Sequence, residues 1–487
     1  MNKPLRRIAI FCGLLVLTLL LRANWLQYVQ AEDLSTRKEN RRVQIAQYAS
    51  ERGNIIVGDK AITGSAVTNG SDYKYKRTYL DGPMWAPVTG FASQAFGSTQ
   101  LEKLEDGILT GSDDRLFFDR TIGMFTGAKK QGGNVVTTLN RAAQLAAFKG
   151  LGEKKGAVAA LDPRTGKILA LVSTPSYDPS SFAGNSKADE KAWVSLKDSK
   201  DKALVNRALR ETYPPGSTFK VVTASAALEH GVVTDVNAPT DTPEPYILPL
   251  STKPMVNHAS GCEHASLMKA LEVSCNSVFA NMGDKVTRDK MLETAEKFGF
   301  NNEKIDTPVR AYASVYDKEM DRGGNALSSI GQFNTAATPL QMAMVAAAVA
   351  NDGKLMKPYM VDQLTAPNLD VLEKTEPSEM SRPLSAENAQ KVQEMMVNVV
   401  ENGTGGSAKI DGVTVGGKTG TAQHGEHNAK RPYAWFISYA KTDKGSPVAV
   451  AVVVEDASGV NREDITGGGL AGPIARAVMQ AVLKSQG

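Results

Sequence analysis

The string YPPGSTFK (213–220) holds two residues whose types and spacing suit acyl transfer: Ser217, a hydroxyl nucleophile, and Lys220, a base three residues on. A serine hydroxyl loses its proton at neutral pH only when a base sits within hydrogen-bond reach. Residues i and i+3 share a helix face, so a helix starting at Ser217 aims Lys220 back toward it. Lysine serves as that base once burial and nearby positive charge bring its pKa down to roughly 7–8. The string also has a plainer reading, because Pro and Gly before a serine mark an ordinary helix start with Ser as its cap. Ser-x-x-Lys recurs at Ser35/Lys38, Ser71/Lys74, Ser199/Lys202, Ser266/Lys269 and Ser438/Lys441. The octapeptide alone therefore decides nothing.

Two distant strings complete a chemistry. Ser274-Cys275-Asn276 falls inside LMKALEVSCNSVFANMGDKV, which reads as a helix, and Lys418-Thr419-Gly420-Thr421 falls inside VTVGGKTGTAQ, which reads as a strand. In this arrangement Lys418 supplies the positive charge that depresses Lys220, and Ser274 relays a proton between the lysines and a leaving nitrogen. The Asn276 amide both donates to and accepts from a substrate peptide bond. The Thr419 and Thr421 hydroxyls, beside Lys418, suit a terminal carboxylate. Gly420 lets substrate lie along the strand without a Cβ in the way. The backbone N–H groups of Ser217 and Thr421 would hold the oxyanion, each such donor being worth about 2.7–4 kcal/mol. Taken singly, the two strings are a polar patch on a helix and a glycine-bearing edge strand.

The elements that must position these residues are legible in outline. GAVAALDPRTGKILALVST reads as a hairpin turning at Asp162–Gly166, helices follow from STFKVVTASAALEHG to TPLQMAMVAAAVANDG, and YAWFISYAK and SPVAVAVVVEDA return to strands before a last helix in GPIARAVMQAVLKS. Strands, then helices, then strands predict an α/β (α+β) fold with one antiparallel sheet covered by helices. At 487 residues the chain exceeds one compact core. Residues 32–55 read as a solvated segment leading into a strand, and 52–131 show short strands and turns without a titratable cluster spaced like an active site. The net charge of +4 is spread rather than clustered, which argues against nucleic acid as partner. Lys3, Arg6 and Arg7 precede an apolar run from Ile8 to Leu21, and apolar residues resume at Trp25 and Leu26. This predicts an uncleaved single-pass anchor with a cytoplasmic N-terminus. Cys12 lies in that anchor, leaving Cys262 and Cys275 as a disulfide pair or two free thiols; His258 and His264 lie close by, but their spacing matches no common zinc pattern. His424 and His427 read as solvated loop residues and Trp435 as sheet packing, while Glu211 is either a surface residue or a neighbour of the site.

The ordered set Ser-x-x-Lys, Ser-x-Asn, Lys-Thr-Gly resembles that of penicillin-recognising serine enzymes. With SERGNII, YPPGSTFK, IGQFNTAATPLQMAMVAAAVANDG, ENGTGGSA and GGKTGTAQ, the chain resembles the class B penicillin-binding proteins, of the actinobacterial type, over nearly its whole length. The resemblance implies a transpeptidase fold shared with serine β-lactamases. It also implies a cytoplasmic tail (1–7), a membrane anchor (8–29), a non-catalytic mixed pedestal (32–145) and a transpeptidase domain (146–487). It further implies a D,D-transpeptidase that needs no cofactor or metal. Its substrates would be peptidoglycan stem peptides, its inhibitors β-lactams, and its partners a membrane-embedded glycan polymerase and division or elongation proteins. A D,D-carboxypeptidase shares this chemistry and differs in whether water takes the acyl group. A class A β-lactamase would carry a Glu-x-x-Leu-Asn string between Asn276 and Lys418, which the chain lacks. A catalytically silent cell-wall scaffold would not need the five polar motif residues. The cysteine inside Ser-Cys-Asn departs from the common pattern, and a bond from it would set the position of Ser274 and Asn276.

Overall fold

The computed structural model describes residues 3–37, 40–69, 72–127, 130–425, 428–457 and 459–486. Helix α1 (Lys3–Tyr28) is followed by strands β1 (Ile55–Val57) and β2 (Lys60–Ala61), helix α2 (Phe117–Thr126), strand β3 (Asn134–Thr137) and helix α3 (Arg141–Leu151). Then come β4 (Lys155–Leu161), β5 (Ile168–Thr174), α4 (Lys220–Glu229), α5 (Leu267–Glu272), α6 (Asn276–Val286) and α7 (Pro339–Ala350). The chain ends with β6 (Val361–Thr365), β7 (Val371–Lys374), α8 (Ala386–Glu401), β8 (Thr414–Ala422), β9 (Tyr433–Thr442), β10 (Gly445–Asp456) and α9 (Gly472–Gln486).

The larger sheet is antiparallel throughout, in the order β8-β9-β10-β4-β5. Ala157, Ala159 and Leu161 of β4 join one apolar cluster with α7, whereas Val158 and Ala160 join a second with α3 and α9. Strands buried on both faces need apolar side chains at every position, which is why GAVAAL and PVAVAVVV show no alternation. The Asp162–Gly166 hairpin closes with Gly166 N–H donating to Asp162 O at 2.8 Å. The expected helix-covered antiparallel sheet is the one the chain forms.

The smaller sheet runs β7-β6-β3-β1-β2 and is mixed, because β1 and β3 pair in parallel. Strand β6 returns from residues 361–365 to pair with residues 134–137, and β7 pairs with β6, so chain segments far apart in sequence share this sheet. Residues 31–36 and 41–47 form short helices before β1, where the sequence suggested only a solvated lead-in. Near them lies a charged cluster that the sequence did not disclose. Glu102 is fully buried and accepts from Arg77 Nε at 2.6 Å and Arg52 Nε at 2.7 Å, while Arg52 Nη1 reaches Asp106 at 2.7 Å. Burial alone would raise the Glu102 carboxyl, yet the two guanidinium groups hold it below its ordinary value.

Helix α1 is one continuous 26-residue helix; its most apolar 18-residue stretch has mean hydropathy 2.0, and none of the helix is buried. At 1.5 Å per residue it is about 39 Å long, against a hydrocarbon core of about 30 Å. The apparent break at Arg22 in the sequence is no break in the helix.

Candidate active site

The turn before Ser217 is held from three sides. Gly216 adopts φ +54°, and its N–H donates to Gly331 O at 2.9 Å. A Cβ on Gly331, itself at φ +73°, would lie 2.1 Å from Gly216 O, so both positions require glycine. Trp435 Nε1 donates to Pro214 O at 3.0 Å, and Thr218 Oγ1 donates to Pro215 O at 2.7 Å. Residues Gly216–Phe219 form a 3-10 turn, and α4 begins only at Lys220. Phe219 anchors the turn by stacking on Tyr316, ring centroids 5.5 Å apart.

Lys220 is fully buried. Its Nζ lies 2.8 Å from Ser274 O, 3.2 Å from Ser274 Oγ and 2.7 Å from Asn276 Oδ1. Lys418, also fully buried, donates to the same Ser274 Oγ at 3.0 Å and to Thr419 O at 3.1 Å. Burial first, and the Lys418 charge second, hold Lys220 well below the ordinary lysine range. Burial brings Lys418 down to about 7. A neutral Lys220 has two N–H groups for Ser274 O and Asn276 Oδ1, and its lone pair can accept the Ser274 O–H. Ser274 therefore sits as a proton bridge between the two lysines.

Several expectations need correction. The predicted Ser217–Lys220 hydrogen bond is not formed: among the described residues nothing hydrogen-bonds the Ser217 hydroxyl, because the Lys220 amine is turned to Ser274 and Asn276. Ser-Cys-Asn does not lie within one helix either. Ser274 and Cys275 lie in the loop after α5 and Asn276 opens α6, with Ser274 at φ +66°, a region that a non-glycine residue occupies only when its surroundings hold it there. Those surroundings are the buried Lys220 amine on Ser274 O and a bond between Cys262 and Cys275. The cysteines are thus paired rather than free. Gly420, which lines the cleft, has a packing reason as well, since a Cβ there would lie 3.0 Å from Pro215 O and from Thr218 Cγ2. It lets β8 pack against the Ser217 turn.

Three contributors escaped the sequence reading. Asn257 Oδ1 accepts from the N–H of Asn276 at 2.7 Å and of Ser277 at 3.0 Å, capping α6 from a remote loop. Val256 O accepts from Asn276 Nδ2 at 2.8 Å, so part of the Asn276 amide is already engaged. Thr404 Oγ1 pairs with Thr419 Oγ1 at 2.7 Å, and the string ENGTGGSA was the available signal for it. Asn257 and Val256 carried no local signal. Ser266, one of the spacing decoys, simply caps α5 by accepting from Lys269 N–H.

Ser217, Ser274, Asn276, Thr419, Gly420 and Thr421 line one cleft of about 800 Å³, with Lys220 and Lys418 beneath it. His424 lies outside the cleft lining and stacks on Tyr433 at 3.9 Å. Trp435 is fully buried in the sheet, Glu211 is half-buried outside the cleft lining, and His427 lies outside the described residues. Among the described residues no group of three His, Cys, Asp or Glu side chains converges to hold a metal.

The family profile described as "Penicillin binding protein transpeptidase domain" matches residues 156–480, two thirds of the chain. This chain belongs to the penicillin-binding-protein transpeptidase family. A second profile of the family, "Penicillin binding protein A dimerisation domain", matches residues 52–135. The chain is 40% identical to the peptidoglycan D,D-transpeptidase PbpA of Mycolicibacterium smegmatis over 99% of each chain, and equally identical to that of Mycobacterium tuberculosis over the full length of both. In three dimensions it is similar to penicillin-binding protein A of M. tuberculosis in its ceftriaxone acyl-enzyme complex. That match has a TM-score of 0.85 and 40% identity, covering 90% of this chain and all of that one. The penicillin G acyl-enzyme of the same protein matches with a TM-score of 0.83 over 89% of this chain. The mixed α/β architecture is thus the penicillin-binding-protein transpeptidase fold.

Proposed function

We infer that the chain is a serine D,D-transpeptidase that cross-links peptidoglycan stem peptides and is acylated by β-lactams at Ser217. The observation that carries the residue assignment is Ser274 Oγ, bridged by two buried lysines beside a half-buried serine that opens on the cleft. In this reading a neutral Lys220 swings from Ser274 to Ser217 and takes its proton. Ser217 Oγ attacks the penultimate D-Ala carbonyl, and the oxyanion is held by the N–H groups of Ser217 and Thr421. Ser274 passes the proton from Lys220 to the departing D-Ala nitrogen. An amine of a second stem then attacks the Ser217 ester, returning its proton along the same path. Thr419, Thr421 and Lys418 hold the terminal carboxylate, Gly420 seats β8 against the turn, and Asn276 aligns the stem backbone.

The same reading makes α1 the single-pass anchor, residues 32–145 the pedestal and residues 146–487 the transpeptidase domain on the outer side of the membrane. Its partners are a membrane-embedded glycan polymerase and proteins of division or elongation. The test is chemical. Labelled penicillin added to the full chain must modify the peptide carrying Ser217, and Ser217→Ala must abolish the label. Label on any other peptide overturns the assignment.

A further inference from the structure

Helix α2 has a face that nothing among the described residues covers. Phe117 is 56% exposed, Phe118 78% and Phe125 88%. Phe118 and Phe125, seven residues apart, share a helix face. Both are more exposed than any leucine, isoleucine or valine of α1, the segment built to meet lipid. Solvent-facing Phe side chains clustered on one short helix mark a contact surface rather than ordinary surface scatter.

The position of α2 says what it meets. The chain leaving α1 at Tyr28 first docks on the segment that leads into α2. Gln47 Nε2 donates to Asp106 at 3.0 Å, Arg52 pairs with Glu102 and Asp106, and Gly53 N–H donates to Leu109 O at 2.8 Å. Helix α2 follows Asp106–Thr110 after only six residues. Gln47 itself is nineteen residues beyond Tyr28, and the intervening chain is partly helical, which shortens its reach. Fully extended, those residues would span at most about 65 Å. The covalent anchor therefore keeps α2 within reach of the bilayer from which the chain emerges. We propose that α2 is an interfacial helix that inserts Phe117, Phe118 and Phe125 into the outer leaflet. It gives the pedestal a second, reversible membrane contact. An in-plane helix of this kind buries its apolar face at the headgroup–acyl boundary. With a tether and an interfacial contact on one pedestal, the catalytic cleft stands at a set height and tilt above the membrane.

The proposal rests on reading α1 as an anchor, and one sample tests the two separately. Full-length chain carrying Cys12→Ser and Phe118→Cys has a single free thiol, because Cys262 and Cys275 are bonded. A nitroxide on that thiol is examined in vesicles of equal parts phosphatidylglycerol and phosphatidylethanolamine, with penicillin labelling of Ser217 as the check on folding. Co-flotation with the vesicles after alkaline washing reports the anchor. The expected result at the nitroxide is collision with dissolved oxygen exceeding collision with a water-soluble nickel chelate several-fold. Adding Phe125→Asp should reverse that ratio while flotation and penicillin labelling persist. A nitroxide open to the nickel chelate overturns the proposal. So does one shielded from both reagents, since that signature belongs to a protein contact.

Discussion

Replacing Lys418 by glutamine should move the pH dependence of Ser217 acylation, and the structure sets the size of the shift. Lys220 Nζ and Lys418 Nζ lie 3.2 and 3.0 Å from one oxygen, Ser274 Oγ, so they are no more than about 6 Å apart. Two unit charges at that distance repel by about 2.8 kcal/mol at an effective dielectric of about 20. That corresponds to about two pKa units on whichever lysine is deprotonated first. The sign follows from the base role. Lys220 is lowered by burial and by the charge of Lys418. Lys418 titrates at about 7, so below that pH it carries the charge. Lys418→Gln removes the second cause and leaves the first, so Lys220 holds its proton to a higher pH. The acid limb of the acylation rate then moves alkaline by about two pH units, and at a fixed pH on that limb the rate falls by ~100-fold. Loss of the carboxylate contact adds a pH-independent drop, which a rate profile separates from the shift. The assay is stopped-flow acylation by a fluorescent penicillin over roughly pH 5–9. Thr404→Val serves as control: it disturbs Thr419 without changing charge and should leave the limb in place. An unmoved limb in Lys418→Gln, or one displaced toward acid, would refute Lys220 as the base.

The same buried lysine makes stability depend on pH. Because folding depresses Lys418 to about 7, the unfolded chain binds the extra proton above that value, so the melting temperature should rise from about pH 7 to about 10. Lys418→Met should reduce that rise in calorimetry, leaving the share that the depressed Lys220 contributes, and an unchanged slope would show that the residue is not buried neutral. Glu102→Gln leaves Arg52 and Arg77 without their shared carboxylate and should cost about 3–5 kcal/mol by urea denaturation. Its penicillin acylation rate below the transition should match the parent. Trp435→Phe removes the donor to Pro214 O and should cost about 1–2 kcal/mol while slowing acylation, because the Ser217 turn loses a support. Gly420→Ala should slow acylation with little effect on unfolding if β8 yields by a few tenths of an ångström; unchanged acylation would mean that the contact with Pro215 and Thr218 is slack.

What could be read from the residues, and what could not, divides by the range of the forces involved. The hairpin at Asp162–Gly166, strand β8 and the apolar helix α1 were legible because each states itself within a few consecutive residues: a turn residue at its offset, an apolar run, a charge before the run. The three motifs were legible because residue type carries their chemistry wherever they lie. Ser274 was misplaced into a helix because its flanks, LMKALE and NSVFANMGDKV, are helical by local pattern, and they do form α5 and α6. The break between them comes from Lys220, fifty-four residues upstream, and from Asn257 capping α6 across a loop. The pairing of β3 with β6 and the Glu102 cluster likewise join residues too far apart for any periodicity to record.

This division bears on how the site works. The parts missed are the left-handed turn at Ser274 and the Asn257 cap beside it; among the described residues the Ser217 hydroxyl has no hydrogen-bond partner. Lys220 Nζ is engaged by Ser274 and Asn276, and in the proposed mechanism it leaves them to accept the Ser217 proton. In that mechanism Lys220, buried and held below the ordinary lysine range, rests on Ser274 until a carbonyl enters the cleft. On that argument the displaced amine is a resting state. Asn276→Ala, which removes one of the acceptors holding it there, should weaken the rest position and the stem contact together. The two effects separate by substrate. A small penicillin with few backbone contacts should lose less acylation rate than a stem-peptide donor does, and an equal loss for both would mean that Asn276 does nothing for the stem.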